Sequence, residues 1–188
     1  MDNLLSTLAN NKRIRLTLEK SRYLIGGLLF LFIALHIRDS LFIPGFIVSL
    51  FGELIQVWSY GSLDKNKVLA DRGPYCFVRN PVYLGRYFVL LGVVLLIGNV
   101  FLLLLYSVIY IIYMINRVKR EEYALKSFFG SIYLSYCKNV NRFLPAFGRN
   151  RTGSIWYFNP GLFIKNHCHL NLILFFYCYI CFYFFISL

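Results

Sequence analysis

Two polar clusters, Arg79-Asn80-Pro81-Val82-Tyr83 and Arg117-Val118-Lys119-Arg120-Glu121-Glu122, bracket an almost uncharged apolar stretch. That bracketing limits how the chain can fold. The stretch from Val82 to Asn116 is long enough for two membrane crossings rather than one, and Gly98-Asn99 near its centre reads as a tight turn. Each arm then has roughly 17 residues, at the lower end of the ~17–25 that a bilayer-spanning helix requires. A helical hairpin returns to its starting side, so both clusters emerge at one membrane surface. A site built from them would lie where a membrane-embedded substrate meets a water-soluble one.

Composition supports a membrane chain. Hydrophobic residues make up 59% of it and aromatics 19%, with a mean hydropathy of +0.60, values that fit poorly with a soluble monomer. Its 188 residues suffice for about one domain. Lys and Arg number 20 against 8 Asp and Glu. No basic domain stands apart from the apolar segments, so this charge does not point to nucleic acid; it points to anionic lipid and to span orientation.

The expected fold is all-α and polytopic, with about five transmembrane helices. A basic segment, 1–22, precedes a membrane core, 23–166, and a C-terminal apolar segment, 167–188. Spans are expected at Tyr23–Ile37, at Leu41–Tyr60, in the two hairpin arms and at Leu170–Leu188. With the N-terminus inside, eighteen basic residues fall in inner segments and only Arg38 in an outer one, while Arg86 lies inside the third span. That bias puts the N-terminus and both clusters on the cytoplasmic face. No cleavable signal peptide is expected, because no small-residue cleavage site follows the first apolar run. After the hairpin, Leu125, Phe128, Phe129, Ile132, Tyr133 and Tyr136 recur at helical spacing. They predict an interfacial helix that lies on the membrane surface or packs over the hairpin ends, with Gly130 as a weak point.

Cys76 and Cys137 fall in inner segments, where thiols stay reduced. Cys178-Tyr-Ile-Cys181 lies within an apolar run and reads as packing, and His167-Cys168-His169 matches no usual zinc spacing. No metal is expected.

Gly73-Pro74-Tyr75-Cys76-Phe77-Val78-Arg79-Asn80-Pro81-Val82-Tyr83-Leu84-Gly85 resembles the G-x-Y-x-x-x-R-H-P-x-Y-x-G signature of isoprenylcysteine carboxyl methyltransferases and related phospholipid methyltransferases. Arg117-x-x-x-Glu121-Glu122, followed by Phe128-Phe129-Gly130-x-x-Tyr133-x-x-Tyr136, resembles their second motif. Arg142-Phe143-Leu144-Pro145 resembles the closing element, and the similarity covers roughly Leu41–Pro145. It implies an integral membrane methyltransferase that uses S-adenosylmethionine. The acceptor implied is lipid-like or prenyl-linked, with a carboxylate first among the options. Cofactor-binding positions carried over are Lys67, Val68, Leu69, Ala70, Tyr75, Asn80, Pro81, Val82, Tyr83 and Glu121; Arg117 is associated with substrate, and Arg117 and Glu121 become the catalytic pair. The family His is Asn80 here, which hydrogen-bonds but neither acts as a general base nor becomes cationic.

The residues themselves allow the same reading. A carboxylate-, ammonium- and sulfonium-bearing cofactor needs an anion partner, acidic groups and aromatic walls, and Arg79, Glu121, Glu122, Tyr75 and Tyr83 form such a set. Arg117 and Glu121, at i and i+4, share a helix face and can pair. Taken singly, the arginines can be mere helix anchors, Asn80-Pro81 a helix start, and the tyrosines an aromatic belt. Glu53, inside the second span, is a substrate-site candidate that either faces a cavity or pairs with Arg86. Leu170–Leu188 reads as a lipid-exposed or packing span, or an accessory tail. Two rivals remain at this stage: an NADPH-dependent membrane reductase of the sterol type, similar around the surface helix and closing Pro, and a non-catalytic scaffold.

Overall fold

The computed structural model describes residues 12–64, 68–145 and 154–187. The described residues are helical: α1 (Lys12–Leu35), α2 (Asp39–Gly61), a 3-10 turn (Gly73–Cys76), α3 (Pro81–Leu95), α4 (Val100–Asn139), the short α5 (Pro160–Lys165) and α6 (Cys168–Ser187). Among the described residues, α2, α4 and α6 are long and apolar enough to cross a membrane, and Leu24–Leu35 and α3 are shorter apolar helices. The five expected crossings thus become three full-length helices and two short ones. With 15 residues, α3 is about 22 Å long, less than the ~30 Å of hydrocarbon in a bilayer. The first helix also differs from expectation. It starts at Lys12, so the basic flank Lys12–Arg22 continues the apolar helix rather than preceding it.

The hairpin forms as the sequence predicts. Pro81 opens α3 at a first-turn position where its missing N–H costs nothing. Gly98 takes φ +67 in the turn, a left-handed conformation suited to glycine. Asn99 then caps α4, its side chain accepting from the Leu102 N–H at 3.2 Å. At this end of the bundle the Arg38 N–H donates to Leu96 O at 2.9 Å, which joins the α1–α2 loop to the hairpin turn. Arg38 therefore lies at the end opposite both charged clusters.

The close contact in the bundle is between α2 and α3. Gly45, Ser49, Gly52 and Gln56 form a small and polar stripe on α2 that meets Gly85, Val89 and Gly92 on α3. A Cβ on Gly52 would lie 2.5 Å from both Gly85 O and Val89 N, and one on Gly85 would lie 2.7 Å from Gly52 O. The Ser49 hydroxyl donates to Val89 O at 2.7 Å. Small residues allow such approach, and lipid supplies no hydrophobic force to replace it. Large apolar side chains point outward instead: Ile43, Ile47, Leu54, Leu104, Val108 and Ile173 are all exposed.

The C-terminal helix is packed, not appended. Phe175, Tyr179 and Phe182 are buried with Ala34 and Leu96, and the Tyr179 hydroxyl donates to Ser49 Oγ at 2.6 Å. The preceding strap clasps the end of α2. Trp58 Nε1 donates to Tyr157 O at 3.2 Å, and Asn166 Nδ2 donates to Tyr60 O at 2.9 Å and Leu63 O at 2.7 Å.

The interfacial helix is not a separate element at its start. α4 runs unbroken from Val100 as far as Gly130, about 45 Å, so it leaves the apolar layer without a loop. The break comes at Gly130, with φ 55 and ψ −124. Beyond it, Tyr133, Tyr136 and Val140 form a buried cluster with Leu69, Leu125 and Phe129. This segment packs over the start of the hairpin, through contacts at Asn80 and Arg79. Phe128 and Ile132 are exposed: Ile132 lies beyond the backbone turn at Gly130, which changes the helical phase, and Phe128, before it, edges the open cavity.

The α2–α3 contact yields a paired prediction. Gly52→Ala should destabilise by about 1–3 kcal/mol, the usual range for over-packing. Gly27→Ala in α1, where no atom lies within 4 Å of an added Cβ, should not. Thermal unfolding in detergent micelles separates them; equal melting temperatures would sink the claim that this seam is closed.

Candidate functional site

A cavity of about 600 Å³ opens at the end of the bundle that carries the charged clusters. The loop after α2 forms one wall and turns at Gly73, where φ is +58 and an added Cβ would strike Ser62 Oγ. The Gly73 N–H donates to Ser154 O at 2.9 Å, so the strap holds the loop from behind. Tyr75 is buried at the base of this wall, and its carbonyl accepts from the Tyr136 hydroxyl at 2.8 Å. Burial pushes the Tyr75 phenol well above its ordinary range, so it stays neutral. The closing segment runs alongside: Val78 bridges Asn141, and the Arg79 N–H donates to Asn141 O at 2.9 Å.

The cavity gathers most of the residues singled out in the sequence. Val68, Leu69, Ala70 and Tyr75 line it from the loop, Asn80, Val82 and Tyr83 from the start of α3, and Arg117 and Glu121 from α4. Pro81 is buried between two lining residues but is not itself in the wall. Lys67 lies outside the described residues. Glu53 is not part of the wall either. It is only 2% exposed and accepts from Gln56 Nε2 at 3.3 Å. Its Oε1 makes no hydrogen bond, and no ion pair joins it to Arg86 among the described residues.

Two polar groups organise the wall. In the first, the Tyr83 hydroxyl donates to Glu121 Oε1 at 2.6 Å, and Arg117 Nε donates to the same oxygen at 3.0 Å and to Tyr83 Oη at 3.3 Å. The Tyr110 hydroxyl donates to Tyr83 O at 2.8 Å and fixes α3 against α4. In the second, Glu122 is buried and faces two guanidiniums. Arg142 binds its Oε2 through Nε at 2.9 Å and Nη2 at 2.5 Å. Arg79 lies 3.5 Å from Oε1 and also donates from Nη1 to Cys137 Sγ. Asn80 Nδ2 donates to Glu122 Oε1 and to Arg142 O, both at 3.3 Å.

Further lining residues are less evident from sequence. Tyr60, Arg86, Tyr113 and Phe129 enter the wall, as do Tyr133 and Tyr136 from the far side of Gly130. Tyr133 and Tyr136 belong to the helical stripe legible in the sequence. Tyr60, Arg86 and Tyr113 sit near the ends of apolar runs and carry no signal of their own. The Tyr133 hydroxyl is buried, with the Cys137 thiol as its polar neighbour.

Over 82 residues the chain is 37% identical to a protein-S-isoprenylcysteine O-methyltransferase of Schizosaccharomyces pombe, covering 44% of this chain and 35% of that one. Over 113 residues it is 29% identical to the protein of the same description from Xenopus laevis, covering 54% and 39%. The chain therefore matches well under half the length of these relatives. No solved structure matches it. The sequence profile described as phospholipid methyltransferase matches residues 23–132, more than half of the chain and inclusive of α2, α3, the loop between them and most of α4. The chain belongs to the phospholipid methyltransferase family.

Proposed function

We propose that this protein is an S-adenosylmethionine-dependent methyltransferase that acts on a lipid-like or prenyl-linked acceptor, a carboxylate foremost, at the cytoplasmic face of a membrane. The observation that carries the reading is the convergence of Val68–Ala70, Tyr75, Asn80, Val82, Tyr83, Arg117 and Glu121 on one cavity. The charge bias of the connecting segments supports the orientation.

The residues present fit the cofactor. A volume of about 600 Å³ lies within the usual range for small-molecule sites. The walls are aromatic, and the Tyr133 hydroxyl, whose polar neighbour is only the weakly bonding Cys137 thiol, can offer a hydrogen bond. Both bonds received by Glu121 go to Oε1, which leaves Oε2 for an ammonium or ribose hydroxyl. When bound, S-adenosylmethionine would supply an electrophilic methyl group on a sulfonium, whose departure leaves a neutral thioether.

The protein's part is positioning, which supplies much of the acceleration in a displacement of this kind. Both contacts of Arg117 within the site run through Nε, so its terminal nitrogens can donate to the acceptor. A carboxylate acceptor is already ionised at neutral pH and becomes a methyl ester with no proton to remove. No general base is then required, and Asn80 in place of an imidazole is compatible with this chemistry. Glu121 and Glu122, adjacent in sequence, divide their work: the first lines the cavity, and the second holds the closing segment to α3.

Calorimetry in lipid nanodiscs should give saturable S-adenosylmethionine binding that Glu121→Ala weakens at least tenfold. No binding by well-folded protein would sink the assignment. Binding without transfer of labelled methyl into lipid extracts or an S-prenylcysteine would favour a non-catalytic scaffold. Glu122→Gln should instead lower thermal stability by about 2 kcal/mol, because Arg79 and Arg142 lose their counter-charge. Glu121→Gln should leave the melting temperature unchanged; the reverse pattern would overturn the division of roles.

A further inference from the structure

Among the described residues, the charges that line the cavity are matched, with one exception. Asp64 is bridged by Lys165 at 2.7 Å, Arg79 faces Glu122 at 3.5 Å, and Arg117 pairs with Glu121 at 3.0 Å. Arg86 also lines the cavity, and among the described residues it makes no ion pair. Its contacts are neutral: Nη2 donates to Tyr60 Oη at 3.5 Å, and the guanidinium lies 5.8 Å from the centre of the Tyr83 ring. The composition makes this gap hard to fill. Of the six acidic residues whose side chains the structure describes, Asp64, Glu121 and Glu122 serve other cations and Glu53 is bound to Gln56. Asp71 lies beside Arg72, and Asp39 begins α2 at the opposite end of the bundle.

Arg86 sits five residues into α3, about 7 Å along the axis from Pro81. A guanidinium within an apolar helix is costly, and such residues face interior cavities and mark ligand paths. Long cations near helix ends also extend toward the interface to reach water and lipid headgroups. Here the residues that hold the head, Tyr60 and Tyr83, are themselves in the cavity wall, so the charge is held over the cavity. Arg86 and Arg117 lean on the same tyrosine, one against its ring and the other against its hydroxyl. Arg117 arrives with its charge compensated; Arg86 does not.

We propose that Arg86 determines acceptor specificity. Its guanidinium binds the anionic group of a lipid-like carboxylate and disfavours acceptors whose reacting group is a cationic amine. This rests on the methyltransferase reading for its purpose, but the contact is testable as binding alone. A charge-assisted bond is roughly twice as strong as a neutral one, and a desolvated wall adds to the difference.

The test uses the full chain in nanodiscs and two probes, an S-prenylcysteine with a free carboxylate and the same molecule as its carboxamide. Cofactor affinity is measured separately. The wild type should bind the carboxylate at least tenfold more tightly than the carboxamide. Arg86→Gln should abolish that preference while changing carboxamide and S-adenosylmethionine affinity less than about twofold, and Arg86→Lys should keep part of it. Equal loss for both probes, or a preference that survives Arg86→Gln, would overturn the proposal. If Arg86→Gln does not fold, the wild-type comparison decides, since no carboxylate preference there overturns it as well. Failure of the wild type to bind S-adenosylmethionine would count against the enzyme reading alone, because the carboxylate preference is read without it.

Discussion

The bundle depends on two helix backbones brought into contact. Where Gly52 meets Gly85, no side chain separates α2 from α3, and Ser49 spans the remaining gap to Val89 O. That contact fixes where α3 begins relative to where α2 ends. The loop between them must then fold back over the top of the pair, and this is the wall that holds Val68–Ala70 and Tyr75. A wider helix spacing would move Tyr83 and Arg86 on α3 away from Tyr60 at the end of α2. The cavity is thus a consequence of missing side chains in the apolar layer, some turns below it.

Above that layer, polar bonds take over the role of packing. The strap 154–166 contributes carbonyls and amides to the end of α2 and to Gly73, and Glu122 ties Arg142 in the closing segment to Asn80 at the start of α3. The first arrangement backs the loop, and the second covers it. Tyr136 joins them by donating to Tyr75 O. The cavity wall is therefore set by three segments that are distant in sequence, each held by hydrogen bonds whose partners are largely withdrawn from water, where they count for more.

Some of this is legible in one dimension. Charge is excluded from lipid, so the hairpin between Arg79 and Arg117 follows from where charges stop and resume. The pairing of Arg117 with Glu121 follows from helical spacing alone. The bond between Glu122 and Arg142 does not. Two adjacent glutamates look alike in sequence, and which one turns inward depends on the phase of α4 against a partner beyond the Gly130 break. The same break leaves Ile132 outward while Tyr133 and Tyr136 stay buried. In α6 nearly every residue is apolar, so no inward face can be read; only the fit of Phe175, Tyr179 and Phe182 against Ala34 and Leu96 reveals one. The stripe Gly45, Ser49, Gly52 and Gln56 is present at helical spacing, but small residues in an apolar run acquire meaning only with the opposing backbone in place.

Asn80 shows how a departure from a family pattern can be physically coherent. Its amide nitrogen carries two protons, and the site has two acceptors for them, a Glu122 oxygen and the Arg142 carbonyl. A neutral imidazole offers one proton from a given nitrogen and would leave one of these acceptors unmet. The position thus joins the start of α3 to the closing segment through both bonds at once. That role requires a paired donor and no change of protonation. A displacement at an ionised carboxylate likewise releases no proton, so the chemistry proposed for the cavity makes no demand that the amide cannot meet. The amide at position 80 and the carboxylate acceptor proposed for the cavity, with Arg86 proposed to hold it, are then two aspects of one consistent site.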